Sequence, residues 1–383
     1  MMARLKRLLQ KRLPWLYQLA RRVTMASSFR YRYHRRPDSL IVVAGYSTGT
    51  TADDGRLIDR LSASYRQRAE APTGMWGDFF RDLHGDIHNA ILGSDRGRIE
   101  AILRNPVSSD LLYGFDYTAR SFRRGGPRIE DRHDPALTLD GLLCLAEAVG
   151  ARSLENPERY TWRARKTGAE EVMAQLEDAF RLRLSIPNPF PAEYGLVCRD
   201  SIMSYRVPQS IYQAWRISQI VKNIERPRVL EIGGGLGRTA HFARQFGITD
   251  YTIIDIPVSS LAQGYFLGRV LGDSAVQLHG EPFGASADRI KLMAPRFFLD
   301  GTDRYDLVLN VDSLTEMGSV AAREYWFAIR RRAGVFLSIN HEANEFTVRE
   351  LIKDSAGIAK INRAPSWMRR GYTEELVEFG GGS

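Results

Sequence analysis

RVLEIGGGLGRT, residues 228–239, joins a short apolar run to a glycine-rich loop that opens into the helical pattern TAHFARQFG at 239–247. A run that is apolar on both faces predicts a buried strand of a parallel sheet. Glycines let the backbone turn sharply and approach a ligand, and the first turn of the following helix presents amides with no partner inside the helix. A dinucleotide fingerprint, Gly-x-Gly-x-x-Gly counted from Gly233, requires glycine at 238, where this chain has Arg238. Two acids flank the loop. Glu231 stands just before it, and Asp255 ends the next apolar run 18 residues beyond Gly237, where a carboxylate can accept both hydroxyls of a ribose. The candidate ligand-binding residues are Glu231, Gly233, Gly234, Gly235, Gly237, Asp255, Ile256 and, near the end of a later run, Asn310.

Further along, YTIIDI (251–256), AVQLH (275–279), YDLVLNV (305–311) and GVFLSIN (334–340) predict strands, with SVAAREYWFAIRRR (319–332) among the intervening helices. Apolar strands alternating with helices define an α/β sheet, mostly parallel. Upstream of Pro227 the pattern is mainly helical from about residue 54 to 225. Leu139, Leu142, Leu143, Ala146 and Val149 share one helix face ahead of Gly150, and Ile211, Ala214, Trp215, Ser218 and Val221 share another. SLIVVAG (39–45) reads as a short buried strand, and the Pro- and Gly-rich segments 123–135 and 185–195 as loops. His84 and His88 are four residues apart but have no firm third partner for a metal.

The formal net charge of +9 sits at one end. Residues 1–37 hold eleven Lys and Arg and no acid, leaving 43 basic against 45 acidic residues in the remainder. A nearly neutral body argues against nucleic acid as a partner. The leader sets Leu5, Leu8, Leu9, Leu13, Leu16 and Leu19 at helical spacing among its basic residues, a pattern suited to an anionic membrane surface. No run approaches the roughly 18–20 apolar residues of a membrane span. Cys144 and Cys198 make neither a disulfide framework nor a zinc site by themselves, so the expected setting is the cytoplasm, at the inner membrane where the leader binds.

The spacing Glu-x-Gly-x-Gly-x-Gly at 231–237 is that of class I methyltransferases. Beyond the generic motif, VLEIGGGLGRTA (229–240), YTIIDIPVSSLAQGYFL (251–267) and YDLVLNVDSLTEM (305–317) resemble the bacterial sugar O-methyltransferase family. The Ile-Asp-Ile-Pro turn followed by Gln263, Tyr265, Phe266 and Leu267 is the more specific cue, and NPVSSDLLYGFD (105–116), LLCLAEAVGARSLENPE (142–158) and WMRRGYTEEL (367–376) are also similar. The resemblance covers roughly 100–378. It implies a Rossmann-like class I methyltransferase sheet of seven strands, the last antiparallel, behind a mainly helical N-terminal region. It also implies S-adenosylmethionine as cofactor and a sugar hydroxyl of a polysaccharide or glycoconjugate as methyl acceptor. The chain then divides into a leader (1–37), a helical region for acceptor recognition (38–225), a methyltransferase domain (226–379) and GGGS (380–383), a linker remnant. A lipid or natural-product acceptor, and a scaffold that keeps the fold without the chemistry, are the alternatives.

Methyl transfer from a sulfonium needs an aligned hydroxyl and a group to take its proton. Polar residues cluster where two strands end: Asp312 and Glu316 after the fourth, and Asn340, His341, Glu342 and Glu345 after the fifth. His341 is the first choice for general base, because a neutral imidazole accepts a proton near pH 7. Asp312 and Glu342 compete for that role, or together hold Mg²⁺ against the acceptor. His279 is placed to approach an adenine. Arg199, Asp200 and Tyr205 either reach over the cleft to the acceptor or form interface salt bridges.

Overall fold

The computed structural model describes residues 43–44, 53–68, 77–78, 80–106, 109–112, 133–154, 167–191, 193–282, 288–353 and 355–380. The basic leader with its membrane-surface reading, most of the 123–135 loop and the terminal 381–383 lie outside them.

The first half is helical, as its periodicity predicts: α1 (Gly55–Arg66), α2 (Gly85–Leu92), α3 (Arg96–Arg104), α4 (His133–Ala148), α5 (Ala169–Phe180) and α6 (Arg206–Ile220). β1 (Val43–Ala44), within the expected 39–45 strand, pairs with β2 (Gly195–Cys198), which forms an antiparallel hairpin with β3 (Ser201–Met203).

The second half is one sheet with helices between its strands. The strands are β4 (Arg228–Ile232), β5 (Asp250–Ile254), β6 (Val276–Leu278), β7 (Ile290–Met293), β8 (Tyr305–Val311), β9 (Ala333–His341), β10 (Ile358–Pro365) and β11 (Tyr372–Phe379). The helices are α7 (Arg238–Gln245), α8 (Pro257–Leu271), α9 (Pro295–Leu299), α10 (Ser319–Arg332) and α11 (Val348–Lys353). Strand order is β6-β7-β5-β4-β8-β9-β11-β10, and β11 runs antiparallel to both of its neighbours in an otherwise parallel sheet. This is the Rossmann-like arrangement expected, with its antiparallel last strand in sequence, and with an eighth strand because β6 extends the far edge.

Three strands of this sheet, and the β2–β3 hairpin inside the region read as helical, are not legible in the sequence. β7 is only four residues long, and β10 is largely exposed. β11 carries Glu374 and Glu375, which are buried because they are paired: Glu374 with Tyr212 (2.6 Å) and Arg216 (2.7 Å), Glu375 with Arg363 (2.9 Å). Glu374 thereby ties α6 to the sheet.

The change of texture at Pro227 marks a change of architecture and not a break in the core. One continuous apolar cluster takes in Leu57 and Leu61 of α1, Ile91 of α2, Leu142 of α4 and Phe266 of α8. α1 lies against α8, where Gly264 and Gly268 make room: a Cβ on Gly264 would meet Leu61 at 2.4 Å, and one on Gly268 would meet Leu57 at 2.7 Å. At the start of α1, Asp54 is 4% exposed and accepts from Tyr265 Oη (2.6 Å), Arg104 Nη2 (2.7 Å) and Arg269 Nη1 (3.2 Å). Removing Asp54 leaves the guanidinium of Arg269, 7% exposed, without its carboxylate. Asp54→Ala is therefore expected to cost about 3–5 kcal/mol, read as a fall in the urea midpoint with an unchanged slope.

Candidate active site

β4 has β5 on one side and β8 on the other, so the order of the sheet reverses there. Loops leaving the carboxyl ends of strands diverge at such a switch point and open a crevice. A cavity of about 380 Å³ occupies it, room enough for a small ligand. The 233–236 loop lines its base, with Asp255 and Ile256 after β5 on one side and Asp312 after β8 on the other.

The loop is held by the carbonyl of Ile232, which accepts from Asn310 Nδ2 (3.0 Å) and Ser313 Oγ (2.9 Å). Gly233 has φ +76°, and a Cβ on it would stand 2.3 Å from Ser313 Oγ. Asn310 is fully buried and also accepts from the amide of Leu314 (3.2 Å) and from Asn340 Nδ2 (2.9 Å). It is not among the residues lining the cavity. The part the structure gives Asn310 is to fasten β4, β8 and β9 behind the loop.

The two acids expected beside a ligand both line the cavity. Glu231 is 2% exposed and accepts from Tyr251 Oη (3.0 Å), and burial pushes its pKa up to about 7. Asp255 accepts from the amide of Ile256 (2.8 Å) and from Gln263 Nε2 (2.7 Å), and burial pushes it up to about 6. Gln263 donates as well to the carbonyl of Gly235 (3.0 Å), bracing the loop against Asp255. Beyond Asp255 the wall is apolar, with Ile256, Pro295, Met317 and Tyr325.

α6 supplies the residues that periodicity alone overlooked. Arg206, Gln209, Ser210 and Gln213 face the cavity at positions i, i+3, i+4 and i+7. The apolar stripe on the same helix satisfied the core, and the polar stripe beside it was the available signal. Gln213 accepts from Thr239 Oγ1 (2.5 Å), which joins α6 to the start of α7.

Asp312 has φ +65°, a conformation uncommon outside glycine. Its Oδ2 accepts from Arg206 Nη1 (3.4 Å) and from Arg369 Nη1, while its Oδ1 is buried and has no hydrogen-bond partner among the described residues. Burial works to raise this pKa, but the guanidiniums of Arg369 and Arg206 outweigh it and hold the carboxyl below the usual carboxylate range. Arg369, from the run WMRRGYTEEL, also lies over the Tyr372 ring, 3.6 Å from its centroid.

His341 and Glu342 do not line the cavity. The His341 ring packs edge-on against Tyr372 at 5.3 Å, and its Nδ1 accepts from the amide of Ala343 (3.3 Å). A neutral imidazole that accepts at Nδ1 carries its proton on Nε2, so in this arrangement the second nitrogen is a donor. Glu342 is exposed and pairs with Arg363 (2.7 Å). The magnesium site expected between Asp312 and Glu342 is not supported: each carboxylate already faces guanidinium groups where a cation would sit. No group of three or more His, Cys, Asp or Glu among the described residues is arranged to hold a metal.

Arg199 and Asp200 form the β2–β3 turn. Arg199 pairs with Glu177 (2.9 Å) inside the helical half, and neither residue lines the cavity. Tyr205 caps the start of α6. His279, just beyond β6, is likewise not a lining residue. His84 is buried, and His88 Nδ1 bonds with Tyr65 Oη (3.0 Å). No helix among the described residues is long and apolar enough to cross a membrane.

No family model matches this chain, and neither does any curated protein. Among solved structures it is similar to the magnesium protoporphyrin IX methyltransferase of Synechocystis PCC 6803 with bound S-adenosylmethionine, at 15% identity, 45% of this chain, 82% of that one and a TM-score of 0.31. It is similar also to the glycopeptide N-methyltransferase MtfA complexed with S-adenosylmethionine, at 16% identity, 44% of this chain, 94% of that one and a TM-score of 0.33.

Gly233→Ala combines a strained φ with a clash against a hydrogen-bonded serine. It is expected to cost about 1–3 kcal/mol in thermal or urea unfolding, whereas Gly247→Ala, also at positive φ but in open space, tests the strain alone.

Proposed function

We propose that this protein is an S-adenosylmethionine-dependent O-methyltransferase whose acceptor is a sugar hydroxyl of a polysaccharide or glycoconjugate. The observation that carries the cofactor reading is the pair of cavity-lining acids on either side of the glycine loop, Glu231 buried and Asp255 half-buried. A buried carboxyl whose pKa is raised by desolvation is stabilised as an anion by a cation or by hydroxyl donors. Glu231 suits the ammonium of a methionine moiety, Asp255 suits ribose hydroxyls, and the apolar wall of Ile256, Pro295, Met317 and Tyr325 suits an adenine face. S-adenosylmethionine supplies, when bound, a methyl group on a sulfonium.

The sugar reading rests on the resemblance of the 229–240, 251–267 and 305–317 segments, and the character of the opposite wall supports it. Arg206, Gln209, Ser210, Asp312 and Glu316 offer hydrogen bonds to a polyhydroxylated acceptor, whereas a lipid chain would call for an apolar surface.

Asp312 is the residue of this wall best prepared to act. Its ionised carboxylate lines the cavity, where it accepts the hydrogen bond of the acceptor hydroxyl and so aims the oxygen. As the oxygen gains its methyl, its proton becomes far more acidic than any carboxylic acid. A carboxylate of lowered pKa is then basic enough to take that proton, and it returns the proton to solvent after the product leaves. Arg206 and Arg369 hold Oδ2 and keep the carboxylate from turning away.

Incubation with methyl-labelled S-adenosylmethionine and separated glycan, lipid and peptide fractions is expected to place the label in the glycan fraction. Label in lipid would redirect the acceptor. Binding of S-adenosylmethionine without transfer to any fraction would favour the non-catalytic alternative. With the labelled fraction in hand, Asp312→Asn is expected to lower turnover by about 10²–10⁴ and to leave cofactor affinity nearly unchanged. His341→Ala is expected to cost less than about tenfold; the reverse ranking would return the proton to His341.

A further inference from the structure

The polar stripe of α6 serves two different parts of the cavity. At the start of the helix Arg206 bonds both to Asp312 (3.4 Å) and to Gln209 (3.3 Å), which directs that end toward the exit of β8. Gln213, one turn beyond Gln209, is tied instead to the first turn of α7, where its Oε1 accepts from Thr239 Oγ1 (2.5 Å). Glu231, the glycine loop and Thr239 follow one another along the chain, and all of them line the cavity together with Gln213. The Glu231 carboxyl reaches under the loop, so that a Cβ on Gly234 would stand 3.1 Å from its Oε2. Gln213 therefore belongs to the end of the cavity where Glu231 stands.

The Gln213 carboxamide is only half used by the protein. The residue is 8% exposed, and its oxygen is taken by Thr239. Its Nε2 has no partner among the described residues and is not sealed from solvent, so its N–H groups open into the cavity that the residue lines. The bond from Thr239 fixes which way the carboxamide faces before any ligand arrives, which reduces the ordering that binding would otherwise require. Arg238, a cation on the same wall, carries its guanidinium over the buried Phe266 ring of α8, 5.3 Å from the centroid.

We propose that Gln213 is a specificity residue contributed by the helical half, donating from Nε2 to the carboxylate of the methionine moiety while Glu231 takes its ammonium. The amino-acid end of that ligand is a zwitterion and needs an acceptor beside a donor. Ionised Glu231 only accepts, and the free amide of Gln213 only donates. The start of α7 is the positive end of a helix dipole, which favours an anion at Thr239 over a second cation. A hydrogen bond to a carboxylate is also stronger than one between neutral groups. One helix thus reads both ligands, the acceptor through Arg206 and the cofactor through Gln213. This inference rests on the S-adenosylmethionine reading.

The test is calorimetric titration of the full chain with two probes: S-adenosylhomocysteine, which has the amino-acid end, and methylthioadenosine, which lacks it. Gln213→Leu removes the donor and is expected to bind S-adenosylhomocysteine about ten- to a hundredfold more weakly, with methylthioadenosine binding as in the wild type. Gln213→Glu keeps an oxygen for Thr239 and turns a second acceptor toward the ligand carboxylate. It is expected to lose at least as much S-adenosylhomocysteine affinity, again sparing methylthioadenosine. Unchanged S-adenosylhomocysteine affinity in Gln213→Leu, or equal weakening of both probes in a folded variant, overturns the assignment. Tighter S-adenosylhomocysteine binding by Gln213→Glu overturns it by placing the ammonium there. Should Gln213→Leu fail to fold by circular dichroism, Gln213→Glu decides, and failure of both assigns Gln213 to the core and overturns the proposal. Equal affinity of the wild type for the two probes overturns it as well. A wild type that binds neither probe refutes instead the cofactor reading on which the inference stands.

Discussion

The carbonyl of Ile232 is the fixed point of the molecule. It ends β4 at the place where the sheet reverses, and it accepts hydrogen bonds from two side chains of the β8 exit, Asn310 and Ser313. Those bonds fit only because Gly233 has no side chain to collide with Ser313. From this junction the glycine loop leaves in one direction and the Asp312 turn in the other, and the cavity is the space between them. Displacing the junction would move both walls of the cavity together.

Charge inside the fold is handled in two distinct ways. Asp54 and Glu374 are buried and matched by guanidinium and hydroxyl groups: Asp54 joins α1 to α3 and α8, and Glu374 joins α6 to the sheet. Glu231, buried, and Asp255, half-buried, have hydrogen bonds but no matched cation within bonding distance among the described residues, and their pKa values rise accordingly. The first arrangement is structural. The second leaves a site poised for a ligand that brings its own donors, and buried acids shifted by desolvation in a cleft are a recognised mark of function. Asp312 stands between the two: Arg206 and Arg369 neutralise one oxygen, and the other is buried without a hydrogen-bond partner among the described residues.

The helical half is more than an appendage to a nucleotide-type fold. α6 delivers a polar stripe to the cavity, α1 fits the two glycines of α8, and one apolar cluster runs through both halves. A ligand held between the sheet loops and α6 would be enclosed by parts of the chain far apart in sequence, which favours exclusion of water from around it.

The glycine loop, its two acids and the parallel character of the sheet were determined by the sequence alone, because they depend on local things: apolar runs, backbone freedom at Gly233, and a carboxylate at a strand's end. The same local logic recovered α10 and most of α4 and α6. What it could not recover depends on partners distant in the chain. β11 reads as polar until Arg216, Tyr212 and Arg363 are seen to pair its glutamates. Polar residues after a strand all look alike in sequence, yet the tertiary structure brings Asp312 into the cavity and leaves His341 and Glu342 outside its lining. Arg206, in the middle of the chain, and Arg369, near its end, come together to hold one carboxylate. Long-range electrostatics and packing chose among candidates that local pattern could only propose.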